Sequence, residues 1–218
     1  MKKILLLNLL LVFFNILEAK NPVLVINTTE GDMTIELYED TPLHTENFLK
    51  LIEEGFYDGL LFHRVIKDFM IQTGDPNSRN AKPGQRLGYG GPDYTIPQEF
   101  RKQYYHKKGA LAAARQGNES NPLKSSSSSQ FYIVQGQKFS EADLQKFVAG
   151  KYHIPFTEQQ IKDYTTIGGT PHLDYEYTVF GQVIKGLEII DKIAAYETDP
   201  AARPLKDVKI IQIKVISK

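Results

Sequence analysis

The sequence predicts a mostly β fold, an antiparallel β-barrel that closes on itself and is capped by two helices. Three observations lead to this prediction. Many short segments rich in β-branched and aromatic residues follow one another, turn-forming residues separate them, and only two stretches have the pattern of a core helix. With 218 residues, 41% of them hydrophobic, the chain is long enough to bury one core in a single domain.

The N-terminal elements are predicted to be a hairpin and a helix. Val23–Thr29 is β-branched and apolar, and Asp32–Tyr38 alternates between apolar and polar residues, so the two segments should pair with one buried face. Thr41 is the expected helix cap, because Pro42 occupies the first helical position and Gly55 follows the end of the helical pattern.

The remaining strands are short, and the second core helix precedes the last of them. The predicted strands are Leu60–Ile66, Phe69–Thr73, Ala110–Ala114, Gln130–Val134, Tyr175–Ile184 and Val208–Ile216, and the predicted helix is Leu187–Ala195. The glycine-rich stretch Gly84–Pro92 is predicted to be a loop. Ser125–Ser129 is of low complexity and lacks the flanking glycines of a nucleophile elbow, so we expect a flexible surface loop.

The segment from about 135 to 169 is predicted to be an insertion that carries two short helices. Ser140 is the expected cap of the first helix, and Thr157 forms a capping box with Gln160 at the start of the second. We interpret the insertion as a structural elaboration beside the site. An arm that docks a partner is the alternative.

Composition excludes several classes of chemistry. The chain has 26 basic and 26 acidic residues. It therefore lacks the excess of basic residues that would indicate a nucleic-acid partner. It has no cysteine, which rules out disulfides, thiolate metal sites, thiol nucleophiles and a lipid anchor carried by cysteine. Five histidines without a zinc-type spacing give no indication of a metal site.

The N-terminus has the pattern of a secretory signal peptide. Lys2 and Lys3 precede the apolar stretch Ile4–Leu17, and Ala19 offers a cleavage edge. A membrane anchor is the alternative, but this nearly all apolar stretch of 14 residues falls short of the roughly 20 that span a bilayer. We therefore expect a signal peptide over 1–19, a mature domain over 20–218 that is periplasmic or secreted, and no stable membrane insertion once the leader is cut. An uncut leader would act as a tether.

The segment Phe62–Asp75 carries the chemistry of the chain. Taken as strand, turn and strand, it brings Arg64 beside Phe69, Met70 and Gln72. This combination of a cation, an amide and an apolar surface is suited to an uncharged group that has a polar edge.

The same segment resembles the central motif of the cyclophilins, which read FHR-x-x-x-x-FM-x-Q-x-GD. Ser129–Ile133 is similar to the second pocket strand of that family, and Leu173-Asp174 with Thr178–Gly181 is similar to the third. The resemblance covers about 23 to 216. It implies a closed eight-stranded barrel and a peptidyl-prolyl cis-trans isomerase that acts on X-Pro bonds, as a monomer and without cofactor or metal. Together with the signal-peptide pattern, it predicts that the substrates are exported proteins. A module that binds proline-containing segments with little turnover is the alternative.

The resemblance also implies the site residues. The expected catalytic residues are Arg64, Gln72, Phe69 and His63. The residues expected to bind substrate are Met70, Ala114, Arg115, Gln130, Tyr132, His172, Leu173 and Tyr177. Tyr132 replaces the usual phenylalanine, Tyr177 a common histidine, and His172 the tryptophan of drug-sensitive members. These departures predict an altered substrate preference, a hydroxyl at Tyr132 that needs a partner, and weak cyclosporin binding.

Overall fold

The computed structural model describes residues 21–147, Gly150 and 155–217, so the predicted signal peptide over 1–19 lies outside the described residues. Within them the chain forms ten strands and four α-helices. None of these helices is both long enough and apolar enough to cross a membrane.

Most of the predicted elements are present, with shorter bounds. The strands are β1 (Val23–Thr28), β2 (Gly31–Leu37), β3 (Arg64–Ile66), β4 (Met70–Thr73), β5 (Thr95–Ile96), β6 (Ala110–Ala113), β7 (Ser126–Ser127), β8 (Phe131–Val134), β9 (Val179–Lys185) and β10 (Ile210–Ser217). The helices are α1 (Pro42–Glu53), α2 (Glu141–Phe147), α3 (Glu158–Thr166) and α4 (Leu187–Ala194). Eight strands form one antiparallel sheet in the order β10-β1-β2-β9-β6-β8-β4-β3, and β5 pairs with β7.

The predicted closure of the barrel is wrong, because the main sheet is an open half-barrel with β3 and β10 at its edges. The segment before β3 still contacts the start of β10, through an isolated bridge from Leu61 to Lys209 and three backbone hydrogen bonds that join Gly59, Leu60 and Phe62 to Val208 and Ile210. The backbone of Leu61 is engaged elsewhere: its N–H donates to Ser78 Oγ at 3.0 Å, and its carbonyl accepts from Thr73 Oγ1 at 2.9 Å. Since these backbone groups bind side chains, β3 begins at Arg64 and not at Leu60 as predicted. The edge amide of β3, at Val65, donates to the carbonyl of Ala202 at 2.7 Å, so β3 does not pair with β10.

The sheet is buried on both faces, which explains why its central strands are apolar at every position. Phe131–Val134 is buried throughout, as is Ala110–Ala113. One face packs with α1 and α4 around the main core, which includes Phe48, Phe131 and Ile190. The other face carries a second apolar cluster: Met70, Ala110, Ala112, Ala114, Tyr132, Val134 and Val179. Successive side chains of a strand point to opposite faces, so the residues of the Phe62–Asp75 segment are divided between the main core and the second apolar cluster.

Helix α1 begins where predicted, but Thr41 does not cap it. The Thr41 hydroxyl donates to the carbonyl of Tyr38 at 3.1 Å instead. The first-turn amides of Leu43 and His44 donate to the carboxylate of Glu99 at 3.2 and 3.0 Å, and His44 Nδ1 lies 2.7 Å from the same carboxylate. A buried carboxylate from another segment therefore satisfies the helix N-terminus and complements its dipole.

The prediction of a flexible loop at Ser125–Ser129 is wrong. Ser126, Ser128 and Ser129 are at most 3% exposed, and the run contains β7. Ser126 Oγ lies 2.9 Å from His44 Nε2, and Ser129 Oγ donates to the carbonyl of Gly74 at 2.8 Å. Each small hydroxyl finds a partner far along the chain, so the run packs in the interior.

The predicted strand from Tyr175 starts four residues later than expected. Pro171–Leu173 forms a short 3₁₀-helix, and Tyr175 has a φ of 60°, in the left-handed region that interrupts an extended strand. Pairing with β6 begins only at Val179.

The predicted helix starts in the segment 135–169 are confirmed. The amide of Asp143 donates to Ser140 Oγ at 3.1 Å ahead of α2. Thr157 and Gln160 form the expected capping box of α3, with reciprocal bonds of 3.2 and 2.9 Å. The boundaries of the domain and of the insertion stay predictions.

We expect Glu99→Gln to lower the free energy of unfolding by about 2 kcal/mol, because the amide would present donors to the donors of α1 and leave buried groups unpaired. Urea denaturation followed by circular dichroism at pH 7.5 measures this loss. The control is Glu46→Gln, which changes an exposed glutamate of the same helix. If the two variants lose equal stability, Glu99 does not act as the cap.

Candidate active site

Nine of the predicted site residues line one pocket of about 100 Å³ on the second face of the sheet. They are Arg64, Phe69, Met70, Gln72, Ala114, Arg115, Tyr132, Leu173 and Tyr177. Met70 and Tyr132 are at most 4% exposed and belong to the apolar cluster beneath the pocket. The fold thus brings together residues from four separate parts of the chain.

The sheet register places the polar and apolar groups side by side. Arg64 pairs with Gln72 across β3 and β4, and Gln72 pairs with Tyr132 across β4 and β8. Cross-strand partners point to the same face, so the three side chains lie abreast. The turn between β3 and β4 is held by Asp68, which has a φ of 60° and donates its N–H to Gln135 Oε1 at 2.6 Å.

A chain of hydrogen bonds that begins at the Arg64 guanidinium orients the polar rim of the pocket. Arg64 Nη1 donates to Gln72 Oε1 at 3.2 Å and lies 3.8 Å from Met70 Sδ. Gln72 Nε2 donates to Gln130 Oε1 at 3.2 Å, and Gln130 Nε2 donates to the carbonyl of Gly90 at 2.8 Å.

Arg64 retains a positive charge that its hydrogen-bond partners do not neutralise. Burial lowers the pKa of Arg64, but a guanidinium stays protonated in proteins. Its partners named above are an amide and a thioether. The guanidinium carbon also lies 5.9 Å from the centre of the Phe69 ring, which is within cation–π range. A cation beside an apolar floor can therefore interact with a ligand.

One wall of the pocket is held by a charged cluster. The guanidinium of Arg115 lies 4.5 Å from the centre of the Tyr177 ring, and it donates to the carbonyl and the carboxylate of Glu176 at 2.8 and 3.1 Å. Lys124 Nζ lies 2.8 Å from the same carboxylate. The Tyr177 ring is thus fixed between Arg115 and the ring of Tyr132, whose centre is 5.8 Å away.

Three predicted site residues lie beside the pocket instead of lining it. Gln130 reaches it only through its hydrogen bond to Gln72. The ring of His172 stacks on that of Phe69, with centres 5.5 Å apart. His63 is 4% exposed and lines a neighbouring cavity of about 270 Å³. The catalytic role of His63 stays a prediction, and its position favours a supporting role.

The Tyr132 hydroxyl has the partner that the sequence required but did not identify. It lies 2.9 Å from His106 Nε2, and His106 Nδ1 lies 3.0 Å from the carboxylate of Asp174. Burial raises the pKa of Tyr132, so the hydroxyl stays protonated. The only signal in the sequence was the need for a partner at Tyr132.

Asp75 is a second functional residue whose role the sequence did not reveal. Its buried carboxylate accepts from the amides of Asn77, Gly88 and Tyr89 at 2.8, 2.5 and 3.2 Å. These bonds fold the glycine-rich loop against the pocket, where the carbonyl of Gly90 holds Gln130. The sequence offered one indication of this role, since Asp75 is the last residue of the Phe62–Asp75 motif.

Stability is expected to fall with acid because of His63. Neither of its ring nitrogens bonds to a described residue, and burial lowers its pKa from 6.5 to about 4. The unfolded chain then binds more protons than the folded one below pH 6.5, so the stability contribution is full above that pH and is lost as pH falls towards 4. We expect a loss of about 2 kcal/mol between pH 7.5 and pH 5.

Urea denaturation of the protein and of His63→Gln across this pH range measures the effect. Burial also lowers the pKa of His44, so the variant should keep a weaker dependence on pH. Parallel curves for the two proteins would contradict the assignment to His63.

The described residues offer no group of three or more histidines and carboxylates that could hold a metal ion.

An apolar floor with a cation and two amides along one rim is suited to an uncharged group that has a polar edge. The model of the family described as "Cyclophilin type peptidyl-prolyl cis-trans isomerase/CLD" matches residues 23–215. A Staphylococcus saprophyticus protein described as a peptidyl-prolyl cis-trans isomerase is 38% identical over 194 residues, which cover 88% of this chain and 91% of that one.

Two crystal structures of a cyclophilin type peptidyl-prolyl cis-trans isomerase from Cryptosporidium parvum are similar to this fold. The first has a TM-score of 0.64 at 25% identity and covers 91% of this chain and 99% of that one. The second, in the presence of the dipeptide Ala-Pro, has a TM-score of 0.63 at 25% identity and covers 90% and 99%. The chain belongs to the cyclophilin-type peptidyl-prolyl cis-trans isomerase family, and the predicted isomerase function is confirmed.

Proposed function

We propose that this isomerase binds the proline ring of a polypeptide in the 100 Å³ pocket and accelerates rotation of the preceding bond through Arg64. The observation that carries the proposal is the alignment of Arg64 and Gln72 over the floor formed by Met70 and Tyr132. The dipeptide Ala-Pro in the crystals of the C. parvum protein supports a proline-containing substrate.

Rotation requires no covalent chemistry, since the barrier of about 20 kcal/mol comes from amide resonance. As the amide twists, the proline nitrogen regains its lone pair and accepts a hydrogen bond from Arg64. That bond exists only in the twisted state, so it lowers the barrier instead of merely tightening binding. Gln72 would bind a carbonyl of the substrate beside it.

A longer groove favours a polypeptide as the substrate. A cavity of about 820 Å³ continues from Gln72, Ala114 and Arg115 between the glycine-rich loop and the serine run. The residues before proline would extend into this groove, past the backbone of Ala114 and Arg115.

A protease-coupled assay on a proline tetrapeptide tests the function. We expect isomerisation to be much faster than the uncatalysed reaction, which takes tens of seconds. A rate equal to the uncatalysed one would refute turnover. NMR could then show that peptides bind while their cis and trans isomers exchange no faster than in the free peptide. That result would favour the alternative, a module that binds proline-containing segments with little turnover.

We further propose that the enzyme assists the folding of exported proteins. The support is the pattern of residues 1–19, with its two lysines and apolar stretch. The mass of the protein recovered from an exporting host locates its N-terminus. Loss of the first 19 residues is the expected result, and a full-length cytoplasmic product would contradict export. Light scattering on the same sample tests the expected monomer.

A further inference from the structure

A chain of four buried side chains runs from helix α3 to the base of the pocket. The hydroxyl of Tyr164 donates to Asp174 Oδ2 at 2.6 Å, Asp174 Oδ1 lies 3.0 Å from His106 Nδ1, and His106 Nε2 lies 2.9 Å from the hydroxyl of Tyr132. Each of the four residues is at most 4% exposed. Tyr164 belongs to the segment 135–169, whereas Tyr132 is part of the pocket floor.

The carboxylate at the centre sets the direction of these hydrogen bonds. Asp174 can only accept, and it also accepts the backbone N–H of His106 at 2.8 Å. His106 Nδ1 therefore carries the proton that Asp174 binds, and in the neutral imidazole Nε2 accepts the proton of the Tyr132 hydroxyl. The polar end of Tyr132 is held away from the floor that would contact a proline ring.

The other end of the chain is anchored by α3. Tyr105 donates its hydroxyl to Asp163 of this helix at 2.5 Å, and Lys107 Nζ lies 3.5 Å from the same carboxylate. Asp174 directly follows Leu173, which lines the pocket. The same carboxylate thus connects α3 with two pocket residues, Tyr132 and Leu173.

We propose that Tyr164 is a positioning residue for the pocket, which it acts on through Asp174 and His106. The segment 135–169 then contributes to substrate recognition, beyond its role as a structural elaboration. The physical reason is the cost of a misplaced hydroxyl: a Tyr132 that loses its partner would leave an unpaired polar group at an apolar floor and weaken binding of the ring. This inference rests on the proposed function of the pocket.

A double-mutant cycle tests the coupling. Tyr164→Phe and Tyr132→Phe each remove one hydroxyl and keep the ring. We expect Tyr164→Phe to lower kcat/KM about five- to tenfold, mainly through KM, as the loss of one hydrogen bond implies. In the Tyr132→Phe background the same change should have an effect within about twofold, because the hydroxyl to be positioned is already gone.

Tyr105→Phe is the matched control, since it removes a hydroxyl that holds the same helix without joining the chain. Its kcat/KM should stay within about twofold of the parent. The imidazole ¹⁵N signals of His106 provide a readout other than activity. They should shift in Tyr164→Phe and not in Tyr105→Phe.

Two results would overturn the inference: equal losses of kcat/KM from Tyr164→Phe in both backgrounds, or unchanged His106 signals in Tyr164→Phe. A wild-type protein without isomerase activity would refute the proposed function instead. The His106 signals would still decide whether Tyr164 reaches the base of the pocket.

Discussion

Replacing Arg64 with alanine is expected to lower kcat/KM for an X-Pro peptide by about a hundredfold while the protein stays folded. A charge-assisted hydrogen bond contributes roughly 1.5–3 kcal/mol, and each 1.36 kcal/mol is worth about tenfold in rate. Because this bond forms only with the twisted amide, the loss should appear in kcat more than in KM. Arg64 is half-buried, and its hydrogen-bond partners among the described residues are neutral, so its removal leaves none of them as a buried countercharge.

Two variants make the measurement specific. Arg64→Lys keeps the charge but loses the planar fork that bonds Gln72, so we expect a loss intermediate between alanine and wild type. Arg86→Ala removes an exposed arginine from the glycine-rich loop and should leave kcat/KM within about twofold. Near wild-type activity in Arg64→Ala would refute the mechanism and place the rate gain in the apolar floor. A large loss in Arg86→Ala would instead point to steering of the substrate by surface charge.

The part of the pocket within Phe62–Asp75 could be predicted from the sequence because its geometry is local, whereas the residues from the other three parts of the chain were predicted from the resemblance to the cyclophilins. A short turn between two strands fixes Arg64 opposite Gln72, and strand alternation then decides which side chains share a face. Tyr132 joins them through a third strand that the family motif identified. The positions within Phe62–Asp75 depend on spacing, which a sequence displays directly.

The errors arose where distant partners decide the structure. Ser126 is buried because it meets His44, 82 residues away, and α1 is capped by Glu99 instead of its own Thr41. Composition predicts a polar loop at the serines, and it carries no information about which hydroxyls find partners. The open edge of the sheet has the same origin, since the edge amide of β3, at Val65, bonds to the distant carbonyl of Ala202.

The same limit applies to the support of the site. His106 and Asp174 are 68 residues apart, and no spacing rule relates them to Tyr132. The sequence could state that a buried hydroxyl needs a partner, but only the fold shows which group provides it.

Gly74→Ala is expected to lower the free energy of unfolding by about 4 kcal/mol, which is at the upper end for a single substitution. Gly74 has a φ of 93°, in the left-handed region, where a Cβ costs roughly 1–2 kcal/mol. The added Cβ would also overlap the carbonyl oxygen of Ser129 and lie 2.7 Å from the Cα of Gln130. Both obstacles are backbone atoms, so no rotation of a side chain can relieve the contact.

Gly84→Ala separates the two contributions. Gly84 has a φ of 75°, but a Cβ there would meet no atom within 4 Å. Gly84→Ala should therefore lower the free energy of unfolding by about 1 kcal/mol, which is the cost of the left-handed conformation without a steric overlap. Urea denaturation of both variants gives the difference, and equal losses would show that the contact with Ser129 and Gln130 has little effect.

The expected steric strain also has a consequence for the site. To accept a Cβ at residue 74, the backbone at 129 and 130 has to move away from β4. Gln130 links the carbonyl of Gly90 to Gln72, which in turn holds Arg64. Any Gly74→Ala protein that remains folded should therefore lose more kcat/KM than Gly84→Ala. If it keeps full activity, the chain of glutamine hydrogen bonds is not needed to orient Arg64.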